Sequence, residues 1–130
     1  MIFQHTCQWI LDKSPHTGER KTQTRRPAIG AKVPRYEVGK TYAVQPGRGK
    51  KAVGRIRIKR RWLEITDAIS HQQAMAEGFR NRREFLESYE RINGTNPLCW
   101  AYEFELVEGG RVFCNKCWPM VRQRKAKVKK

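Results

Sequence analysis

Gly18-Glu19-Arg20-Lys21-Thr22-Gln23-Thr24-Arg25-Arg26-Pro27 is the stretch that decides how the rest of the chain is read. Two hydroxyls, an amide, a lysine and three arginines lie between a turn-forming glycine and a helix-breaking proline, and nothing in it has the look of core. A segment this polar, bounded by breakers, is either fully solvated or lines a hollow that other elements build around it. The second reading is the one the neighbouring sequence supports.

The flanking residues supply such elements. Upstream, Phe3, Cys7, Ile10 and Leu11 recur every three to four residues, which predicts a short helix within Met1 to Asp12, with Trp9 widening its apolar face. Ser14 to Gly18 reads as a loop. Downstream, Thr41 to Gln45 alternates as a strand. Ala52 to Trp62 is a longer one, with Ile56, Ile58 and Trp62 on one face and Arg55, Arg57 and Lys59 on the other. Pro46 to Lys51 joins the two as a basic, glycine-rich hairpin loop. No helix start succeeds it, so it is not a P-loop.

A helical pair comes next. Ser70 with Gln73 has the form of a capping box, and Gly78 closes that short helix. Asn81 with Glu84 repeats the signal, and the stripe Phe85, Leu86, Tyr89, Ile92 stops at Asn93-Gly94. Trp100, Tyr102, Phe104 and Leu106 then alternate with less apolar residues in a final strand ending at Gly109-Gly110. Short strands with a helical pair inserted before the last one predict an α+β, mainly β domain. A sheet of this size must curl or close to protect its edges, so the expected architecture is a compact β-barrel with peripheral α-helices.

Charge and length bound the function. At 130 residues the chain is one domain. Its net charge of +16 is unevenly spread. Lys13 to Arg61 holds 16 Lys/Arg against Glu19 and Glu37, Glu64 to Glu108 holds nine acids against four arginines, and the chain from Arg111 onward holds eight bases and no acid. Clusters of that kind predict a polyanion partner, either RNA or DNA, rather than a merely solubilising surface. Arg20, Thr22, Gln23, Arg25, Arg26, Arg48, Lys50, Lys51, Arg55, Arg57 and Lys59 are the expected nucleic-acid-binding residues. No apolar run has membrane length and no secretory pattern opens the chain, so a cytoplasmic monomer without a membrane partner is expected. Trp62, Trp100 and Tyr102 are candidates to stack a base, although the alternating pattern favours core packing for Trp100 and Tyr102.

Four cysteines are too few for a disulfide framework. Cys114 and Cys117 form one C-x-x-C, whose completion as a zinc site would need two of Cys7, Cys99, His5 and His16, none at diagnostic spacing. Two ordinary thiols are the better reading, as is an ordinary surface role for His71, and no cofactor or metal is expected.

Residues 18 to 26 resemble the G-x-K-T-x-T-x-R signature of ASCH domains, a branch of the PUA-like superfamily. Tyr36-Glu37-Val38-Gly39-Lys40 is similar to that family's turn into the next strand. Ala76-Glu77-Gly78-Phe79 with Arg83-Glu84-Phe85 resembles its helical insert, and Trp100 to Val107 its closing strand. The resemblance covers about residues 1 to 108. It implies a PUA-like β-barrel domain over residues 1–110, whose cleft binds RNA or a modified nucleoside. Residues 111–130 are expected to be a basic extension, disordered after residue 121.

Some ASCH proteins of the YqfB type are amidohydrolases that deacetylate N(4)-acetylcytidine. The resemblance carries their lysine, threonine and glutamate onto Lys21, Thr24 and Glu77. Such chemistry needs a hydroxyl nucleophile, here Thr24, and a base to take its proton, here Lys21. Arg20, Arg25 and Arg26 push that lysine towards neutrality, while Glu77 holds it charged. Strand geometry raises an obstacle, since Lys21 and Thr24 would point to opposite faces of an extended chain. The expectation is therefore an RNA- or nucleoside-binding domain with a cationic cleft. The alternatives are an amidohydrolase of acylated cytidine and a basic accessory protein of a ribonucleoprotein.

Overall fold

In a computed structural model of the chain, residues 1–3, 6–28, 34–95 and 97–109 are described. Four antiparallel strands, β1 (Gln23–Pro27), β2 (Thr41–Val44), β3 (Gly54–Ile65) and β4 (Leu98–Gly109), lie in the order β1-β4-β3-β2. Helix α1 (Cys7–Leu11) precedes the sheet. A 3₁₀ turn (Thr66–Ala68), α2 (His71–Ala76) and α3 (Arg82–Asn93) connect β3 to β4. The α+β, mainly β class holds, and each element placed by pattern is present, with ends shifted by a few residues.

Alternation along β4 gives the sheet two covered faces. Tyr102 and Phe104 point into a core with Phe3, Cys7, Ile10, Leu11, Val44, Val53, Ile56 and Ile58. Cys99 points the other way, into a second core with Ile69, Ala74, Phe85 and Tyr89 under α2 and α3. Each fully buried aliphatic or aromatic side chain here contributes about 1.5–3 kcal/mol before entropy is counted. Trp100 is partly buried and, like Tyr102, belongs to the first core, in the packing role that its alternation favours.

Three expectations need correction. The sheet is open and is not a closed barrel. β1 and β2 are its two edges. Residues Met1 to Phe3 occupy the β2 edge, where Phe3 N donates to Gln45 O at 2.8 Å and Gln45 N to Met1 O at 2.9 Å. Across the remaining gap one side chain reaches: Arg26 Nη2 donates to Ile2 O at 3.0 Å.

The second correction is Trp62. Register shifts interrupt the β3–β4 pairing between Arg55 and Ile56 and between Ile58 and Arg60, so Arg61 lies opposite Tyr102 and Trp62 opposite Ala101. An unpaired residue exchanges the two faces of every residue after it. Trp62 accordingly leaves the Ile56–Ile58 face and lies against Arg25. The third is the polar stretch itself, which contains β1 and is buried in part: Lys21, Gln23, Thr24 and Arg25 are buried, while Gly18 to Arg20 and Thr22 are exposed. The extension 111–130, with Cys114 and Cys117, lies outside the described residues, as does His5.

The insert is set by its caps. Ser70 and Gln73 form a reciprocal capping box on α2, and Asn81 accepts from Glu84 N to start α3. Between them Gly78 has φ +101°, and a Cβ there would lie 2.4 Å from Trp9 Cε3. Only glycine lets the end of α2 turn so close to the indole. The Gly78 carbonyl also accepts from the buried Ser14 hydroxyl at 2.6 Å. Glu77 and Phe79, on either side, are thereby fixed beside α1 and β1.

Candidate functional site

The polar stretch enters the sheet through three main-chain bonds. Lys21 N donates to Trp9 O, Thr22 N to Ala76 O, and Phe104 N to Thr22 O, at 2.8, 2.8 and 2.9 Å. With Ala28 N bonded to Leu98 O at 3.1 Å, this parity turns the Thr22 carbonyl and the main-chain groups of Thr24, Arg26 and Ala28 towards β4. Gln23, Arg25 and Pro27 turn theirs to the free edge, where a proline costs no ladder bond.

A cavity of about 310 Å³ lies at that edge. Its floor carries Lys21, Thr24, Arg25, Arg26 and Glu77. Phe3, Trp9, Phe79, Phe85, Tyr89 and Ile92 line the rest of it, with Trp9 and Phe79 in edge-to-face contact at 5.4 Å between ring centres. Lys21 and Arg25 leave the strand towards α2 and α3, while Thr24 and Arg26 leave towards α1. Both pairs are among the residues that line one cavity. Lys21 and Thr24 therefore diverge, as strand alternation predicts, although both line the cavity.

The floor is an ion cluster. Lys21 Nζ donates to Glu77 Oε1 at 2.7 Å and to the Glu77 carbonyl at 2.9 Å. Arg25 Nη1 donates to Glu77 Oε2 at 2.9 Å and to Gln23 Oε1 at 3.0 Å, and Arg25 Nε to Glu64 Oε2 at 2.6 Å. The other Glu64 oxygen accepts from Trp62 Nε1 at 2.5 Å. Lys21, Arg25 and Glu77 side chains are at most 3% exposed, so these pairs act at low dielectric, and removing one partner strands the others.

Burial pushes the Lys21 ammonium below the usual lysine range, Glu77 pulls the other way, and Arg26 and Arg25 lower it further. Arg25 is raised: burial opposes its charge, but Glu77 and Glu64 together outweigh it. Arg26 is lowered, chiefly by burial, and its guanidinium lies 4.9 Å from the Phe3 ring centre.

The expected site residues divide into two groups. Lys21, Thr24 and Glu77 share the cavity with Arg25 and Arg26, and Gln23 supports Arg25 from beside it. The Lys21 ammonium spends its two hydrogen bonds on Glu77, and neither reaches Thr24. Arg20 and Thr22 are exposed and do not line the cavity. Arg48, Lys50, Lys51, Arg55, Arg57 and Lys59 lie on the outer surface of the β2–β3 hairpin, also away from it. Arg57 there is paired with Glu105 at 3.3 Å, and the neighbouring Arg60 with Glu103 at 2.5 Å. The cavity walls are mainly aromatic and aliphatic, with the charge confined to the floor.

Glu64 was not legible as part of the site, because it meets Arg25 only across the β1–β4–β3 register. Trp9 and Phe79 carried a faint signal, one as the extra aromatic on the α1 face and the other as the residue after Gly78. Trp62, a stacking candidate, is covered by Arg25 and Arg60, whose guanidinium carbons lie 5.8 and 5.1 Å from its ring centre. Among the described residues no group of three or more metal-ligating side chains comes together. No helix there is long and apolar enough to cross a membrane.

No protein-family model matches the sequence, and no curated protein matches it. Among the solved structures similar to this chain are the following two. A protein of the DUF984 family from Enterococcus faecalis aligns at a TM-score of 0.59 with 17% identity, over 78% of this chain and 67% of its own. The ASCH domain from Lactobacillus crispatus aligns at a TM-score of 0.54, also with 17% identity, over 79% of this chain and 70% of its own. Likeness at that identity is a matter of fold, and the fold of this chain is ASCH-like.

Proposed function

We propose that the protein binds a single base of RNA, or a modified nucleoside, in the cavity at the β1 edge. One observation carries this reading. A buried cluster of Lys21, Arg25 and Glu77 forms the floor of an aromatic-walled hollow of about 310 Å³. That volume is at the small end of the roughly 300–1,000 Å³ typical of ligand pockets, suiting one nucleoside better than two. Aromatic rings line it, and its polar residues supply both donors and acceptors for a base edge. Arg48, Lys50, Lys51, Arg55 and Lys59 would hold the phosphates of a longer strand. Titration with cytidine, N(4)-acetylcytidine and a short RNA, followed by tryptophan fluorescence, tests the reading. Saturable quenching that Trp9→Leu abolishes is expected, and no response to any of the three would refute it.

A second reading is favoured by the shared position of Lys21, Thr24 and Glu77. In an amidohydrolase of N(4)-acylated cytidine, Thr24 Oγ attacks the amide carbonyl carbon. Its proton would pass to Lys21 in the neutral form that burial favours. Collapse of the tetrahedral oxyanion releases the cytidine amine, which takes that proton back, and water then hydrolyses the acyl-threonine. Arg25 and Arg26 are the nearest cations to stabilise the oxyanion. Release of cytidine from N(4)-acetylcytidine, lost in Thr24→Ala and Lys21→Met, is the expected result. Absence of release by the wild type at high protein concentration would leave binding alone.

A further inference from the structure

Glu64 lies outside the cavity lining, yet an unbroken row of hydrogen bonds joins it to the cavity floor. The register shift between Ile58 and Arg60 places it opposite Cys99, on the sheet face where Arg25 lies opposite Ala101. Trp62 Nε1 donates to Glu64 Oε1 at 2.5 Å, and Arg25 Nε to Glu64 Oε2 at 2.6 Å. Arg25 Nη1 then donates to Glu77 Oε2 at 2.9 Å, and Lys21 Nζ to Glu77 Oε1 at 2.7 Å. The Glu64 side chain is 12% exposed and that of Arg25 0%, so little solvent screens the row.

A guanidinium pairs most strongly with a carboxylate as a fork, through two parallel N–H bonds to its two oxygens. Arg25 instead makes one bond to each of two carboxylates. Glu64 takes Nε, Glu77 meets Nη1 through Oε2 alone, and Oε1 is left for Lys21. We infer that Glu64 is a positioning residue for the cavity, acting through Arg25 to reserve Glu77 Oε1 for the Lys21 ammonium. This rests on the reading of that cavity as the ligand site. Without the Glu64 charge, Arg25 is free to form the fork on Glu77, and one acid instead of two answers its charge. Both changes loosen the hold on the Lys21 ammonium. The other groups around Lys21 leave this route clear. Arg25 and Arg26 from β1 disfavour its charge, and Glu77 at the end of α2 favours it. Tyr89 from α3 and Cys99 from β4 are raised by burial to about 12 and about 11, and Thr6 and Trp9 at the start of α1 carry no charge.

The test follows the Lys21 side-chain carbons by NMR through a pH titration of the full chain, in wild type, Glu64→Gln and Glu64→Asp. Glu64→Gln keeps the shape and removes the charge. Lys21 should then lose its proton at least about half a pH unit below wild type, less than a charge in direct contact produces, because the effect passes through Arg25. Glu64→Asp keeps the charge and should return most of the difference, which a mere packing role does not predict. The pH profile of cytidine affinity should be displaced in Glu64→Gln by the same interval. Wild type supplies a check free of any variant's folding: the Trp62 Nε1 resonance, on the far side of Glu64, should move at the Lys21 midpoint. Three results each overturn the positioning role: a Trp62 signal silent at that midpoint, a Lys21 titration unmoved in Glu64→Gln, or an affinity profile in place while Lys21 moves. A wild type that binds none of cytidine, N(4)-acetylcytidine and a short RNA overturns the nucleoside reading, while the Lys21 titration still decides the part of Glu64.

Discussion

Two regions of this molecule are built from the same residue types and behave as opposites. At the β1 edge Lys21 and Arg25 are buried, held at 2.6–2.9 Å by Glu77 and Glu64, and shifted in their ionisation. On the outer face of β3, Arg57 and Glu105 form a pair at 3.3 Å with side chains 46% and 47% exposed. Coulomb energy in water at such separations is about 1 kcal/mol and is screened by salt, whereas the buried cluster has no water to share its charge. Basic residues are therefore two kinds of tool here. Those inside fix the position and ionisation of a few atoms, and those outside stay hydrated and screened by salt.

The sharpest way to break the comparison is to remove the acid that the inner cations share. Glu77→Gln leaves Lys21 and Arg25 short of a counter-charge and should cost about 3–5 kcal/mol in urea unfolding. Adding Lys21→Met should recover part of the loss. A loss below about 1 kcal/mol would place the cluster in the same class as the surface pairs. Next in size is Gly78→Ala. Its Cβ would meet the Trp9 ring at 2.4 Å on a backbone of φ +101°, and a loss of roughly 1–3 kcal/mol is expected, with a change in Trp9 fluorescence.

Alkaline pH tests the interior without removing a charge. Burial pushes the Cys99 thiol from 9.0 up to about 11, and the Tyr89 phenol from 10.0 up to about 12. For both groups the unfolded chain loses its proton first. The stability from keeping them neutral is thus full below pH 9 and falls as pH rises through 11 and then 12. Lys21 acts in the reverse sense, since its folded pKa is lowered and its buried ammonium becomes less costly as pH rises through that value. Comparing urea unfolding of Cys99→Ala with wild type between pH 8 and 11 isolates the thiol, and the variant should show the shallower decline. The smallest effect belongs to the surface. Arg57→Ser should change stability by no more than about 0.5 kcal/mol. Under the proposed RNA binding, it should reduce the salt dependence of affinity by at most about one phosphate contact.

Legibility in the sequence divided along the same line. Local signals were strong wherever one short stretch sufficed: the Ser70–Gln73 box, the stop at Asn93-Gly94, and the alternation from Trp100 to Leu106. Long-range geometry was not readable in this way. An unpaired residue near Lys59 carries no composition mark, yet it turned Trp62 to the other face. The polar stretch hid a buried strand because its charges are satisfied by Glu77 and Glu64, 52 and 39 positions along the chain from Arg25. Its resemblance to the ASCH signature predicts Lys21, Thr24 and Glu77 in one site, and all three line one cavity although Lys21 and Thr24 leave β1 in opposite directions. Closure of the barrel was inferred from the need to protect edges, and the N-terminal residues protect one of them instead.

Mapping a bound ligand by NMR tests the central claim most directly. With N(4)-acetylcytidine or cytidine 5′-monophosphate added to labelled protein, the account predicts saturable shifts at Trp9, at residues 21–26 and at Glu77 to Phe79, with the outer hairpin unchanged. Shifts confined to Arg48 through Lys59, with the β1 edge silent, would contradict it.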